Sequence, residues 1–404
     1  MNMMRQSNPL APDPGSEAAH LSLDAMTIAV TGANGFIGAR VIELLGKLDS
    51  PPELRALSRR HARDQNHTVV DLADPGSVSR ALKGCNAVIH SAFDFLDMAA
   101  NLRIAAILAS ECAAIGARLV HVSTAAVHEP FSDGELDESR RPGPGGSDYK
   151  QVKLAIEDNL LRLVREQGLD LVILQPTIVY GPFGRAWTDS PIRELLTGTV
   201  VLPDDGRGLC NAVFVDDVCQ AAILALTAPL ASGERFLISG QAAVTWKEFY
   251  TAYQDILGVD AVRLQPADDC SVDHGPVEDE RRDGVAASGD EPDNLDGSAV
   301  LSLTVSRGKK LKGIVTKAIG SKAATRLNMW VSFLRSRVMG GTVHKLTGAQ
   351  FATFRTRCNV RIDKARLLLA YEPRYDLAAG MRMTAPYIVD TYGRLARLKP
   401  KRKL

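Results

Sequence analysis

The sequence predicts an α/β fold in which helices wrap a doubly wound parallel sheet. From Met26 onward, short apolar runs alternate with segments of helical period. A glycine-rich turn directly follows the first apolar run and opens the first helical segment. The composition, 45% hydrophobic and 24% charged over 404 residues, is typical of a globular chain of this class.

Six apolar runs predict the strands of the sheet. They cover residues 26–31, 54–58, 68–70, 86–91, 118–124 and 169–176, and residues 36–47 follow the first of them as a helix. In an open sheet of this kind, ligands bind outside the carboxyl ends of the strands. The residues after each run are therefore the candidates for a functional site.

The charge, cysteine and histidine content argues against a nucleic-acid-binding, a disulfide-rich or a metal-binding protein. The formal net charge is +1, so the whole chain offers no electrostatic reason to bind nucleic acid. The six cysteines form no C-x-x-C pair and the eight histidines form no H-E-x-x-H motif. We expect no disulfide framework, no bound metal and no spanning helix, and we expect a reducing, cytoplasmic location.

The glycine-rich turn has the pattern of a dinucleotide site. One glycine allows the tight turn, one lets the backbone approach a pyrophosphate, and one lets the helix pack on the strand. The N–H groups at the helix start then bind the phosphates. The predicted contacts are Gly32, Asn34, Gly35, Phe36, Ile37 and Gly38, with Ser91 and Ala92 after the fourth strand.

The end of the second predicted strand carries arginines where an NAD-specific site would place an acid. Arg59 and Arg60 could bind a 2′-phosphate bidentately, whereas an acid would repel it. We therefore expect NADP(H) rather than NAD(H), the alternative being that these arginines are a solvated strand end. Asp71 and Leu72, after the third strand, are candidate neighbours of the adenine ring, although Asp71 could equally cap a turn.

A tyrosine and a lysine four residues apart predict an acid–base site. Tyr149 and Lys153 share one face of a helix, and a nearby ammonium lowers the pKa of a phenol from its usual value of about 10. Thr124 ends the fifth strand, on the ligand side, where its hydroxyl could bind a substrate carbonyl. Thr124 and the preceding Ser123 could instead be ordinary capping residues.

Six motifs, in order, carry a family resemblance: T-G-A-N-G-F-I-G, D-L-A-D-P-G-S-V, S-T-A-A-V, Y-K-Q-V-K, Q-P-T-I-V-Y-G-P and V-F-V-D-D-V. Together they resemble the extended short-chain dehydrogenase/reductases, also called the NAD-dependent epimerase/dehydratase family. The resemblance implies a Rossmann-type domain with catalytic Thr124, Tyr149 and Lys153. It also implies that Asn101 positions the lysine through a water, and that Pro176 and Ile178 border the nicotinamide.

Several positions depart from the family pattern. Cys210 stands where members that act on nucleotide-sugars carry an arginine clamp for the diphosphate, and Arg207 is the nearest arginine in sequence. His128 and Glu129 replace a common tyrosine–glycine pair, and Gln175 stands where many relatives have arginine. The chain is therefore more similar to the branch that contains hydroxysteroid dehydrogenases and flavonoid-type ketone reductases.

Composition shifts divide the chain. We predict a disordered extension (1–24), an NAD(P)-binding Rossmann domain (25–182), a smaller C-terminal substrate lobe (183–266 and 346–397), an acidic disordered linker (267–298), a basic amphipathic helical insertion (299–345) and a basic tail (398–404). Residues 307–345 hold ten Lys or Arg and no acid. That segment predicts either a lid over the substrate pocket or a peripheral membrane contact.

These observations predict an NADP-dependent oxidoreductase. It would interconvert a secondary alcohol and a ketone or aldehyde on a small apolar substrate, with Tyr149 as the acid–base group. One alternative is a nucleotide-sugar epimerase or dehydratase of the same family. A second is a non-catalytic NADP-binding regulatory protein. The expected partners are a small-molecule substrate and, as a homodimer, a second copy of the chain.

Overall fold

A computed structural model describes residues 22–59, 67–143, 145–273, 342–343 and 345–398. The strands are β1 Thr27–Thr31, β2 Glu53–Ser58, β3 His67–Val69, β4 Ala87–His90, β5 Arg118–Val122, β6 Gly134–Leu136, β7 Leu171–Pro176, β8 Ile178–Tyr180, β9 Gly198–Pro203, β10 Leu209–Cys210, β11 Ala212–Phe214, β12 Glu234–Ile238, β13 Val244–Thr245, β14 Val262–Gln265, β15 Val272–Asp273, β16 Thr342–Val343, β17 Leu346–Thr347 and β18 Cys358–Val360. The helices are α1 Phe36–Leu45, α2 Pro75–Leu82, α3 Met98–Ile115, α4 Asp148–Gln167, α5 Ser190–Thr197, α6 Val215–Ala225, α7 Trp246–Leu257, α8 Gly348–Arg355, α9 Asp363–Leu369 and α10 Leu377–Leu398.

Several sequence predictions fall on residues outside these ranges. The residues concerned are nearly all of the N-terminal extension, Arg60, most of the acidic linker and of the basic insertion, and the tail after Leu398. The alternatives of lid and membrane contact for 307–345 therefore stay predictions, as do the boundaries of the substrate lobe.

Seven parallel strands form the main sheet, in the order β12-β7-β5-β4-β1-β2-β3. The six apolar runs of the sequence all become strands of this sheet, with ends that shift by no more than two residues. β7 is buried along its whole length, as expected when helices cover both faces of a parallel sheet. The predicted α/β doubly wound fold is confirmed.

Two layers of helices cover the sheet. α2, α3 and α4 pack on one face around a core that includes Leu108, Leu119 and Leu160. α1 and α6 pack against each other on the opposite face, around Val30, Val41 and Ala222. By length and composition α3 is apolar enough to span a membrane, yet it packs between α2 and α4 in the helical layer.

The order of the strands reverses beside β1. The chain runs from β1 outward to β2 and β3, then crosses to β4 on the other side of β1. Helices on either side of such a reversal diverge and leave a crevice at the carboxyl ends of the strands. The loops after β1, β2 and β4 therefore meet at one edge of the sheet.

A second group of elements, outside the main sheet, comes mostly from the part of the chain after β7. β8 pairs with β11, β9 pairs with β14 and β16, and α7 packs against α10. Their core is aromatic, with Trp246 in ring contact with Phe249 and Phe354. Asp217 of α6 joins this group to the main domain, because its carboxylate accepts the N–H groups of Arg374 and Tyr375.

Candidate active site

The turn between β1 and α1 leaves no room for side chains at two of its glycines. Gly32 has φ +70°, and a Cβ there would lie 2.8 Å from the Ala92 nitrogen. A Cβ on Gly38 would lie 2.3 Å from the Gly32 carbonyl oxygen. Only glycine fits both positions, since contacts this short do not occur between real atoms. The turn thus packs directly against the loop that follows β4.

The N-terminus of α1 is built to receive an anion. Gly35 caps the helix without a side chain, and no acidic residue lies in the first turn. The first backbone N–H groups therefore face the crevice with the positive end of the helix dipole behind them. Ser91 lines the same turn, because its hydroxyl donates to the Thr31 carbonyl at 2.8 Å. These residues fit the pyrophosphate of a dinucleotide.

Arg59 reaches across the end of β1. Its Nη1 lies 2.7 Å from Oδ2 of Asp94, and its side chain is 74% exposed. Burial alone would raise the pKa of Asp94, but hydrogen bonds from the Leu96 N–H and from Arg59 outweigh burial and lower the pKa. Arg59 therefore lies at the cofactor crevice, already paired with a carboxylate.

The two candidate neighbours of the adenine ring have structural roles. Asp71 accepts the Ala73 N–H at 2.9 Å, so its carboxylate caps the turn after β3. Leu72 is buried in the core under α2. Of the two interpretations that the sequence left open for Asp71, the structure displays the turn cap. An adenine contact by either residue stays a prediction.

Tyr149 and Lys153 lie on one face of α4, which Ser147 caps through the Lys150 N–H. The Lys153 Nζ donates to the Val122 carbonyl at 3.0 Å and lies 6.0 Å from the centre of the Tyr149 ring. Burial lowers the pKa of Lys153 to about 8, against an opposing effect of Glu157. The structure thus places a buried, still cationic ammonium next to a half-buried phenol.

Two phenylalanines from the loop after β4 complete this pair. The Phe95 ring is stacked on Tyr149 with centroids 5.7 Å apart, and the Phe93 ring meets Tyr149 edge-on at 5.3 Å. Phe93 also lies 4.5 Å from the Lys153 Nζ, a cation–π distance. The sequence reasoning missed both residues, because no local pattern tells that this loop folds back onto α4.

Thr124 and Asn101 make different contacts from those that the family resemblance alone would suggest. Thr124 Oγ1 accepts the Ala126 N–H at 3.2 Å and so caps a short 3₁₀ turn, which leaves its hydroxyl hydrogen able to donate elsewhere. Both ends of the buried Asn101 amide bond the backbone of Asp94, each at 2.8 Å. In this structure Asn101 fixes the loop after β4, and its action on Lys153 through a water stays a prediction.

A buried carboxylate one turn after Lys153 connects several polar residues. Glu157 is fully buried and bonds Ser123, Gln175 and Arg235. Gln175 in turn bonds Nε2 of His128 at 3.0 Å. Two positions that depart from the family pattern are therefore direct partners. Glu157 could have been found in the sequence, since it continues the four-residue spacing of Tyr149 and Lys153.

Two histidines lie in the sheet behind Lys153. His90 and His121 occupy paired positions on β4 and β5, with rings 5.2 Å apart. Thr31 bonds His90 through Nδ1 at 2.7 Å, and both ring nitrogens of His121 are buried without a partner among the described residues. Burial first, then the charge of Lys153, lowers the pKa of His90 to about 3 and that of His121 well below its usual range. Both rings are therefore neutral.

The position where nucleotide-sugar enzymes of the family carry their diphosphate clamp is part of the core in this chain. Cys210 is fully buried, and burial raises the pKa of its thiol. Arg207 lies on the surface, where it donates to Asp205 at 2.6 Å. Pro176 ends β7 and Ile178 begins β8, so both lie at the carboxyl edge of the sheet. Within the described part of the chain, no group of acidic, histidine or cysteine side chains could hold a metal.

A match to a known protein family spans just over half of the chain. Residues 28–239 match the NAD dependent epimerase/dehydratase family. Dihydroflavonol 4-reductase of Zea mays is 28% identical over an alignment of 248 residues, and the match covers 51% of this chain and 68% of the relative. Cinnamoyl-CoA reductase 1 of Petunia hybrida is 26% identical, over 57% of this chain and 80% of its own. The 2-alkyl-3-oxoalkanoate reductase of Stenotrophomonas maltophilia is 25% identical, over 60% and 78%.

Solved structures share the fold over nearly the whole chain. The dTDP-glucose 4,6-dehydratase DesIV of Streptomyces venezuelae, crystallised with NAD, has a TM-score of 0.60 at 22% identity and covers 91% of this chain and 98% of its own. The UDP-glucose 4-epimerase of Thermotoga maritima has a TM-score of 0.59 at 19% identity, with 91% and 99% covered.

The neutral histidine pair predicts that the protein loses stability in acid. An unfolded histidine has a pKa of about 6.5, and the pKa values of folded His90 and His121 are lower. As the pH falls below 6.5, the unfolded chain binds protons that the folded chain does not, so the free energy of unfolding decreases. His121→Phe should reduce that decrease by roughly 1.4 kcal/mol per pH unit between about pH 6 and 4. Urea denaturation across this range measures it. A difference from wild type that is the same at every pH would be a packing effect and would contradict the prediction.

Proposed function

The chain belongs to the NAD dependent epimerase/dehydratase family and is an NAD(P)-dependent oxidoreductase of the extended short-chain dehydrogenase/reductase type. On that premise we propose that it interconverts a secondary alcohol and a ketone or aldehyde on a small apolar substrate, with NADP(H) as cofactor. One observation carries the proposal. The Tyr149 phenol, the buried Lys153 ammonium and the rings of Phe93 and Phe95 meet at the carboxyl edge of the sheet.

Each residue has a distinct part in the proposed chemistry. The glycine turn, Ser91 and Lys153 would hold the cofactor, which when bound supplies or accepts the hydride. In the reductive direction, Tyr149 gives its phenolic proton to the substrate oxygen. The Lys153 ammonium stabilises the phenolate that remains. Thr124 donates its hydroxyl hydrogen to the same substrate oxygen and keeps its own oxygen on the Ala126 N–H.

The surroundings of Tyr149 favour an apolar substrate. Phe93 and Phe95 present aromatic surface beside the reacting group, and such surface binds flat or apolar molecules better than charged ones. The buried thiol of Cys210 offers no contact to a phosphate. The names of the curated relatives, a dihydroflavonol, a cinnamoyl-CoA and an alkyl-oxoalkanoate reductase, support the reduction of a carbonyl group.

A nucleotide-sugar substrate is the second candidate. It is favoured by the structural likeness to a dTDP-glucose dehydratase and a UDP-glucose epimerase over more than nine-tenths of each chain. Arg207 is exposed and near the position where such enzymes clamp the diphosphate, although it is paired with Asp205.

Tyr149→Phe tests the proposed acid–base role. The change removes only the phenolic proton and keeps the ring contacts with Phe93 and Phe95. Turnover should fall roughly a hundredfold or more, while NADPH affinity stays within about twofold of wild type, a difference of about 0.4 kcal/mol. The measurement is NADPH oxidation with ketones, aldehydes and steroids, first screened on the wild-type protein. A variant that keeps most of its activity would place the chemistry elsewhere.

Arg59→Ala tests the cofactor preference. Wild type should bind NADPH more tightly than NADH, because a charge-assisted contact to the 2′-phosphate contributes roughly tenfold or more in affinity. The variant should lose that preference and leave NADH binding unchanged. Arg103→Ala is the matched control, since Arg103 is also exposed and pairs with Asp97 of the same loop. Calorimetric titration with both cofactors decides it, and equal wild-type affinities would refute the NADP(H) preference.

Calorimetry with UDP- and dTDP-sugars separates the two substrate classes. We expect no tight binding, because the buried thiol of Cys210 stands where the family's diphosphate clamp would be, and Arg207 is paired with Asp205 on the surface. Tight binding of a nucleotide-sugar that Arg207→Ala abolishes would instead favour the epimerase or dehydratase alternative. Glucose 1-phosphate, which lacks the nucleotide, is the control ligand.

A further inference from the structure

We propose that Asp94 tunes the cofactor specificity of the site by competing with the 2′-phosphate of NADP(H) for Arg59. In the cofactor-free protein Asp94 holds this arginine, and the phosphate takes it over on binding. The inference rests on the proposed NADP(H) preference and adds a second residue to it.

The position of the ion pair carries the first step. Arg59 follows β2 and Asp94 lies in the loop after β4, with β1 between these two strands. Neighbouring strands lie about 4.8 Å apart, so the backbones of β2 and β4 are separated by roughly 10 Å. The Arg59 and Asp94 side chains bridge this distance. The ion pair crosses the carboxyl end of β1, where Gly32 begins the turn that fits a pyrophosphate. A dinucleotide bound at this turn would therefore lie next to the Arg59–Asp94 ion pair.

The two partners are fixed to very different degrees. Oδ1 of Asp94 accepts the N–H groups of Leu96 at 2.9 Å and Asp97 at 3.3 Å, and Asn101 bonds the Asp94 backbone on both sides. The Arg59 side chain is 74% exposed, against 20% for Asp94. When the pair separates, the arginine moves and the carboxylate stays. Asp94 is therefore a fixed acceptor from which Arg59 departs.

Exchange of partners depends on what the cofactor offers. A phosphate brings more negative charge and more acceptor oxygens than a carboxylate, so it can outcompete Asp94 for a guanidinium. The 2′-hydroxyl of NAD(H) brings no charge and leaves Arg59 on Asp94. Exposed ion pairs are weak, so the competition reduces NADP(H) affinity by a small factor.

Asp94→Asn removes the charge and keeps an oxygen for the Leu96 and Asp97 N–H groups. NADPH affinity should rise about two- to fivefold, with NADH affinity unchanged. Asp97→Asn is the matched control: Asp97 caps α3 through the Ala100 N–H and lies 3.9 Å from Arg103. Calorimetry with NADPH, NADH, 2′,5′-ADP and 5′-AMP gives the affinities, and the two ADP and AMP probes report on the adenosine half alone.

The double variant Arg59→Ala/Asp94→Asn separates competition from simple repulsion. If Asp94 acts through Arg59, the gain from Asp94→Asn disappears in the Arg59→Ala background. A gain that persists there would mean that Asp94 repels the phosphate directly, and an equal gain for NADH would mean a general barrier to binding; either result overturns the inference.

The same titrations distinguish failure of this inference from failure of the proposed function. Suppose that wild type prefers NADPH and that Arg59→Ala abolishes the preference, but that Asp94→Asn changes no affinity. The proposed function then stands and this inference fails. If wild type shows no preference, the proposed cofactor is itself refuted.

Discussion

The backbone of the turn after β1 lies in direct contact with the loop after β4, and the arrangement of the site depends on this contact. Gly32 and Gly38 leave no space for a Cβ against Ala92 and Ser91. This loop packs against the turn at its start, and Asn101 bonds the backbone of Asp94 in its middle, so its middle residues lie at the crevice. The same contact that shapes the proposed pyrophosphate-binding turn therefore brings Phe93 and Phe95 to Tyr149, and Asp94 to Arg59.

Burial of a lysine imposes a second constraint on the site. Moving an ammonium out of water costs several kcal/mol unless other groups compensate. Here the Val122 carbonyl and the face of Phe93 contact the charged nitrogen, and the groups behind it are the neutral His90 and His121. A protonated imidazole at either position would add a second positive charge in a low-dielectric region. Burial already lowers the pKa of Lys153 to about 8, and a positive charge on either histidine would lower it further.

The sequence alone is sufficient for the sheet, the glycine turn and the tyrosine–lysine pair. Each of these depends on local periodicity or on spacing within one helix, which a linear pattern records. The aromatic cover of Tyr149, the Arg59–Asp94 pair and the His90–His121 pair join residues of different strands and loops. Nothing in the local sequence fixes such pairings, because they follow from the strand order and from the path of the loop after β4. Asp71 shows a different limit. The local sequence identifies the aspartate, but an aspartate can either cap a turn or contact a ligand, and the sequence does not tell which.

Glu157 joins α4 to the positions where this chain departs from the pattern of its family. Tyr149, Lys153 and Glu157 occupy one face of α4 at successive turns, and Glu157 partly offsets the effect of burial on the Lys153 pKa. Arg235 is the cation that contacts Glu157; an arginine at position 175 would be another and would weaken the negative potential at Lys153. Gln175 instead donates an uncharged N–H to the Glu157 carboxylate, and its amide oxygen accepts a hydrogen bond from Nε2 of His128. Gln175 and His128 therefore leave more of the Glu157 charge to keep Lys153 protonated, which is the state that the proposed acid–base role of Tyr149 requires.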